Sequence, residues 1–246
     1  MQGIKAIRQG GSYASSPSDG TAHSHDMEYY QWEKWTGPAW TRPSRSNGVW
    51  KACLLSGWGP FEMIDMCNAL GIEPVITTTE TDNAQEFADL VEYCHGDDTT
   101  PMGKKRVADG HPQKYDVKYF ELGNEQYNPN YVEQVAAMEA KAHTLGIGNT
   151  IHYMFPSNGF LNSTDIAKAA KLSPRVDAQM VADIHIGGGG AVESARALFS
   201  KVRQQQSLRH NNRRARNSHN NRPNFALFLL SSGALLQIAL AQSDFQ

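Results

Sequence analysis

Lys118-Tyr119-Phe120-Glu121-Leu122-Gly123-Asn124-Glu125 is a short apolar run followed by a polar Gly-Asn-Glu tripeptide. The run is typical of a buried strand, so Glu125 is predicted just past the carboxyl end of that strand, where parallel α/β folds place catalytic groups. Asn124 beside it can donate its amide to a ligand hydroxyl. Glu121 lies inside the strand and is not expected to form an acid/base pair with Glu125. The spacing alone is equally compatible with a simple strand-end turn.

Alternating strand and helix patterns flank this segment on both sides. Strands are predicted at residues 4–8, 74–78, 117–122, 150–155 and 181–186, and helices at residues 60–70, 84–94, 131–145, 164–172 and 192–202. Pro60 and Gly71 are typical residues at a helix start and just after a helix end. The polar residues 95–116 are expected to form a surface excursion. This alternation predicts an α/β fold with a parallel sheet.

The composition divides the 246 residues into unlike parts. The chain is 40% hydrophobic and 20% charged, which excludes wholesale disorder, and its formal net charge of −2 argues against a polyanion-binding surface. Residues 201–223, however, hold seven basic side chains and no acidic one, so residues 1–200 carry 16 basic against 24 acidic residues. We predict an α/β domain at 1–202, a basic low-complexity segment at 203–223 and an apolar tail at 224–246.

Two other interpretations of the C-terminal regions are weaker. The largely apolar segment 225–241 would reach roughly 25 Å as a helix, less than the roughly 30 Å of bilayer hydrocarbon, so a membrane anchor is not favoured. The arginine-rich segment could bind RNA phosphates. It has no interleaved aromatic residues, and nucleic acid is therefore not favoured as a partner.

Cysteine and histidine patterns favour neither a disulfide framework nor a metal centre. Cys53, Cys67 and Cys94 are few and scattered, and the chain has no CxxC motif. Two histidines in an early Ser/Gly loop lack a third ligand at sensible spacing. Glycines 187–190 precede a predicted helix without the Lys-Ser/Thr of a phosphate-binding loop. No metal or other cofactor is therefore expected. The N-terminus lacks the pattern of a secretory signal, and nothing in the sequence assigns a compartment.

An ordered series of short motifs extends well beyond residues 118–125. The series runs Ile7-Arg8-Gln9-Gly10-Gly11-Ser12, Tyr30-Gln31-Trp32, Gly37-Pro38 with Arg42-Pro43, Trp50, residues 58–67, residues 71–76, residues 91–94 and residues 119–125. Together these motifs resemble the catalytic barrel of α-L-arabinofuranosidases of glycoside hydrolase family 51, over about residues 3–200. The resemblance implies a partial (β/α)8 TIM barrel. The five predicted strands would be strands two to six, and strands one, seven and eight are not recognisable.

The resemblance implies a retaining glycoside hydrolase that acts on arabinose-containing polysaccharides or glycosides. Glu125, ending strand four, would be the general acid/base. In the family the nucleophilic glutamate ends strand seven, but residues 201–246 contain no glutamate. Glu193 falls in the first turn of a predicted helix, where a carboxylate favours the helix dipole, and Asp244 has no strand context. We therefore expect impaired catalysis, with a non-catalytic carbohydrate-binding barrel remnant as the alternative.

Five further positions match the family's sugar pocket. The resemblance places Arg8 beneath the nucleophile, Ser12 where a family asparagine contacts the sugar, and Trp50 as an aromatic wall. Asn124 would contact a substrate hydroxyl, and His185 would line the mouth at the end of strand six. A hydrogen bond within the sheet end explains His185 equally well. The unrecognised strands and the altered composition after residue 202 suggest a truncated or frame-disturbed coding sequence.

Overall fold

The computed structural model describes ten stretches of the chain. They are residues 4–10, 31–42, 45–47, 52–54, 57–79, 82–123, 128–156, 180–185, 226–230 and 238–240. In chain order the strands are β1 (Ala6–Gly10), β2 (Arg45–Asn47), β3 (Ala52–Leu54), β4 (Glu73–Thr78), β5 (Tyr119–Leu122), β6 (His152–Pro156), β7 (Met180–His185), β8 (Ala226–Leu230) and β9 (Ile238–Leu240). The helices are α1 (Pro60–Leu70), α2 (Ala84–His95), α3 (Pro101–Ala108) and α4 (Tyr131–Thr144), with short 3-10 helices at Trp32–Trp35 and Ala39–Thr41.

Seven of these strands form one sheet, in the order β1-β4-β5-β6-β7-β8-β9. Every pair from β1 to β8 is parallel, and β9 is antiparallel to β8. The strands β2 and β3 form a separate antiparallel pair. Each parallel step therefore sets the carboxyl ends of neighbouring strands at the same edge of the sheet, which we call the carboxyl edge.

The helix boundaries follow from local capping chemistry. Pro60 occupies the first turn of α1, and the Glu62 carboxylate accepts from the Gly59 N–H at 2.8 Å. The helix ends at Gly71, whose φ of +66° is the left-handed conformation that glycine adopts without strain. Asn83 caps α2 by accepting from the backbone N–H groups of the two residues at 85 and 86. The helices α2 and α4 thus begin at the carboxyl edge, shortly after β4 and β5 end.

The two faces of the sheet pack differently. On the inner face, the strands β1, β4, β5, β6 and β7 each contribute one side chain to a small cluster of Ala6, Val75, Tyr119, Met154 and Val181. On the outer face, the alternate strand residues join a much larger apolar core with α1, α2 and α4. This alternation is what a strand period of two produces when helices cover only one face.

The five predicted strands are confirmed, each within about two residues of the expected bounds. The expected helices at 60–70, 84–94 and 131–145 are present as α1, α2 and α4. The helices expected at 164–172 and 192–202 lie outside the described residues, as does the basic segment 203–223.

Two features differ from expectation. The supposed surface excursion contains α3, because Thr100 caps it and Pro101 occupies its first turn. The apolar tail contributes β8 and β9, and β8 extends the parallel sheet beyond β7. Among the described residues, no helix is both long and apolar enough to cross a membrane.

Candidate active site

An ion pair joins two strands across the inner face near the carboxyl edge. The Arg8 guanidinium of β1 donates to the Glu121 carboxylate of β5, and the Thr77 hydroxyl of the intervening β4 donates to the same carboxylate at 2.6 Å. The Glu121 side chain is fully buried, and that of Arg8 is 14% exposed. The pair therefore cancels a buried charge and fixes the direction of the arginine.

Glu121 is consequently committed to the interior of the sheet. The register sets it opposite Thr77 on β4 and Met154 on β6, two residues before the strand gives way to Gly123. This position confirms the prediction that Glu121 lies inside the strand. Arg8, predicted to lie beneath a nucleophile, meets the strand that leads to Glu125.

The segment after β5 turns sharply at Gly123. Its φ of +111° is a backbone conformation that residues with a side chain rarely adopt. The chain is described again from Asn128, which is 1% exposed and whose side-chain amide donates to the Leu122 carbonyl at 2.8 Å. The positive φ therefore explains why the first residue of the Gly-Asn-Glu tripeptide is a glycine.

Most of the predicted site residues lie outside the described part of the chain. These are Ser12, Trp50, Asn124 and Glu125. His185 is the last residue of β7 and therefore lies at the carboxyl edge. Of the six predicted site residues, only Arg8 has described side-chain contacts.

A buried carboxyl group stands at the carboxyl edge between β4 and α2. Asp82 is 1% exposed, and neither of its carboxyl oxygens has a hydrogen-bond partner among the described residues. Burial raises the pKa of Asp82 to about 8, and the nearby acids Glu86 and Glu33 act in the same direction. The Trp32 backbone N–H and the Gln31 side chain approach it and offset only part of that effect. The buried site thus favours the protonated form of Asp82.

A half-exposed tryptophan lies at the same edge. Trp58, just before α1, is 47% exposed, and its indole N–H donates to the Gln9 side-chain oxygen at 3.0 Å. The sequence analysis included Trp58 in a family motif but assigned it no role, because only the fold brings its side chain beside β1. Within the described stretches, no group of three or more His, Cys, Asp or Glu side chains could hold a metal ion.

Comparison with known proteins identifies the family. A family model described as the alpha-L-arabinofuranosidase 1 domain matches residues 5–204. The Aspergillus niger protein named "Probable alpha-L-arabinofuranosidase C" is 36% identical over 118 residues, which cover 48% of this chain and 23% of that protein. Alpha-L-arabinofuranosidase 2 of Arabidopsis thaliana is 32% identical over 123 residues, which cover 42% of this chain and 18% of the relative. The chain thus spans less than a quarter of the length of these curated relatives.

Solved structures agree on the fold. A family 51 α-L-arabinofuranosidase from Bifidobacterium longum superposes with a TM-score of 0.59 at 17% identity, over 92% of this chain and 48% of that one. The Thermotoga maritima α-L-arabinofuranosidase in its arabinose complex gives 0.57 at 18% identity, over 94% and 47% of the two chains. The parallel sheet with its covering helices is therefore a partial TIM-barrel-like fold. Since the family model spans most of the sequence, this chain belongs to the alpha-L-arabinofuranosidase domain family of glycoside hydrolases.

Proposed function

We propose that this chain recognises α-L-arabinofuranosyl groups of polysaccharides or glycosides and that Glu125 is its general acid/base. The observation that carries the proposal is the family match over residues 5–204, which includes the Gly-Asn-Glu tripeptide that follows β5. The carboxyl edge supports it, since Arg8 and Glu121 form a buried ion pair between β1 and β5, the strand that precedes that tripeptide in the sequence. Catalytic groups of TIM-barrel enzymes stand at this edge.

The proposed chemistry is hydrolysis with retention of configuration. Such hydrolysis uses two carboxyl groups about 5 Å apart. One attacks the anomeric carbon, and the other protonates the departing oxygen and later takes a proton from water. Glu125 would fill the second role. Around it, Asn124, Arg8, Ser12, Trp50 and His185 would contact or orient the sugar.

We propose that the chain is catalytically impaired because it lacks the nucleophile, the first of these two roles. The strand beside β7 is β8, and Leu230 at its carboxyl end is followed by Ser231 and Ser232 instead of a carboxylate. Residues 201–246 contain no glutamate. Loss of one member of a cooperating catalytic set commonly lowers the rate by several orders of magnitude. We therefore expect negligible hydrolysis of aryl α-L-arabinofuranosides by this chain.

The same observation favours a second candidate, a carbohydrate-binding domain without catalysis. In that case the sugar would bind at the carboxyl edge, but Glu125 would transfer no proton. The two candidates differ in whether a supplied nucleophile restores turnover.

Azide is a suitable supplied nucleophile. It would attack the anomeric carbon as the bond to the departing oxygen breaks, so that the products are a glycosyl azide and a phenol or alcohol that receives the Glu125 proton, and Glu125 regains a proton from water. We expect azide to stimulate turnover of a benzyl α-L-arabinofuranoside, whose leaving oxygen needs that proton. Glu125→Gln should abolish the stimulation, whereas Glu133→Gln, an exposed glutamate in the first turn of α4, should not.

Each outcome has a distinct meaning. Arabinose binding without azide-stimulated turnover would favour the carbohydrate-binding candidate. Rapid hydrolysis without azide that is lost in Glu125→Ala would mean that another residue, such as Glu193 or Asp244, supplies the second carboxylate. The absence of both arabinose binding and turnover would overturn the proposal.

A further inference from the structure

Asn128 is a buried side chain whose polar atoms are all engaged. It is 1% exposed. Its amide donates to the Leu122 carbonyl at 2.8 Å and to the Gln134 side-chain oxygen at 2.7 Å. Its own oxygen accepts from the Asn130 N–H at 2.9 Å. Leu122 is the last residue of β5, so this side chain ties the end of the strand to the start of α4.

Gln134 extends the tie to the neighbouring connection. Its side chain is fully buried, and its amide donates to the Asp82 backbone carbonyl at 2.7 Å. Asp82 follows β4, and its own N–H donates to the Thr79 carbonyl at 3.3 Å. One glutamine of α4 therefore links the connection after β4 to the connection after β5. Such fully satisfied buried networks hold the backbone they bind in one arrangement.

The network binds the chain on both sides of the segment that contains Asn124 and Glu125. Between its two anchors at Leu122 and Asn128, the chain includes Gly123 with its positive φ and then residues 124–127. Any movement of the Leu122 carbonyl or of Asn128 would shift the two ends of this segment relative to each other. A proton donor must stand within hydrogen-bond reach of the departing oxygen, so small shifts of its backbone matter.

We propose that Asn128 and Gln134 are positioning residues that hold Leu122 and Asn128, the two ends of the segment carrying Glu125, in a fixed relation to each other. The inference rests on the acid/base role proposed above for Glu125. Neither side chain needs to touch the substrate. Their effect is exerted through the Leu122 carbonyl and through the backbone of the connection after β4.

Two isosteric substitutions separate positioning from general stability. Asn128→Asp keeps the oxygen that accepts from Asn130 but replaces the donor amide with an oxygen that faces two acceptors. Asn83→Asp makes the same chemical change at the cap of α2, where the side chain acts only as an acceptor and Asp caps as well as Asn. We expect backbone amides 123–127 to exchange with deuterium about tenfold faster in Asn128→Asp than in Asn83→Asp, because an unmade buried hydrogen bond is costly.

The second measurement is the leaving-group dependence of azide-supported turnover. Misplacement of Glu125 should lower the rate for a benzyl glycoside, which needs protonation, more than for a dinitrophenyl glycoside, which does not. A smaller folded fraction would lower both rates equally. Gln134→Glu, which removes the amide that donates to Asp82, should change the ratio in the same direction.

The outcomes for the two proposals are separable. Equal exchange of amides 123–127 in the two Asn→Asp variants would overturn the positioning role, whatever the chain catalyses. Faster exchange with an unchanged rate ratio would overturn it as well. Absence of any Glu125-dependent turnover in the parent chain would count against the proposed function, and the exchange comparison would still decide whether the anchors hold the segment.

Discussion

The two edges of the parallel sheet bury polar groups in different ways. At the amino edge, where α2 ends, Arg106 of α3 is 1% exposed. Its guanidinium donates to four backbone carbonyls, those of Tyr93, Gly96, His111 and Pro112. The first two belong to the carboxyl end of α2, so the helix dipole also favours the cation there. The buried cation at this edge is therefore bound by backbone groups that do not titrate.

The carboxyl edge depends on side chains instead. Arg8 is paired with Glu121, and the Asp82 carboxyl group is buried near the Trp32 N–H and the Gln31 side chain, while Gly123 adopts a positive φ. Each of these features lowers or conditions stability and lies close to the segment that carries Glu125. The amino edge thus satisfies its buried cation with backbone carbonyls, whereas the carboxyl edge, where function is proposed, buries charged and titratable side chains.

The largest expected effect is loss of the ion pair at the carboxyl edge. Glu121→Gln should lower the free energy of unfolding by about 3–5 kcal/mol, because the Arg8 charge is left without its counter-charge. Urea denaturation of the parent and the variant measures this difference in the free energy of unfolding. Replacing both partners, as Arg8→Met with Glu121→Leu, should recover most of the loss, since an apolar pair has no charge to desolvate. A loss of less than about 1 kcal/mol in the single variant would mean that solvent screens the pair.

At the amino edge, Arg106→Met should lower the free energy of unfolding by about 3 kcal/mol, because the buried carbonyls lose a charged donor. Lys104→Met, on the exposed side of the same helix, should leave stability unchanged. Sugar binding per folded molecule should be normal in both variants. If Arg106→Met weakened binding without lowering stability, the functional distinction between the edges would be wrong.

The pH dependence of stability should differ in sign between the edges. Burial raises the pKa of Asp82 to about 8, so its contribution is fully present below pH 4 and is lost as pH rises toward 8. Burial lowers the pKa of His95, at the amino end of the sheet, to about 4, so its contribution is lost as pH falls below 6.5.

Asp82→Asn tests this directly. The variant should match the parent near pH 4 and exceed it by about 2 kcal/mol at pH 8, since each pKa unit corresponds to about 1.4 kcal/mol and solvent relaxation reduces the full difference. Thermal melting between pH 4 and 8 follows the change. An equal offset at every pH would show that the carboxyl group does not titrate in this range.

The smallest expected effect compares two glycines with similar backbone angles. Gly123 and Gly110 have φ values of +111° and +101° at the carboxyl and amino edges. Alanine at either position should cost about 1 kcal/mol or more of stability. Only Gly123→Ala should also weaken arabinose binding or azide-supported turnover, measured by calorimetry and product release. Equal functional losses would remove the distinction between the edges.

Much of the fold could be predicted because its signals are local. The apolar runs at residues 74–78 and 117–122 and the helix signals at Pro60 and Gly71 act over a few residues, and the strands and helices formed there. The tail strand β8 escaped prediction because a short apolar run without alternation does not specify whether it forms a strand, a helix or neither. Its pairing with β7 decides that.

The candidate site was only partly accessible from the sequence for a related reason. Gly-Asn-Glu and the position of Glu121 inside the strand could be recognised locally. The role of Asn128 could not, because Asn128 before a helix carries the same signal as any turn residue. Trp58 and Gln9 are 49 positions apart, and no periodicity links them.

The sequence alone determined the order of the five predicted strands and of α1, α2 and α4, because each depends on a residue pattern within a single segment, and the ordered series of motifs indicated the family. Tertiary structure decided which buried charge meets which partner, as in Arg8 and Glu121, 113 positions apart. It also decided that Gln134 joins two connections and that burial raises the pKa of Asp82 to about 8. Such pairings follow from the register of the sheet and from desolvation, and both exist only once distant segments have packed together.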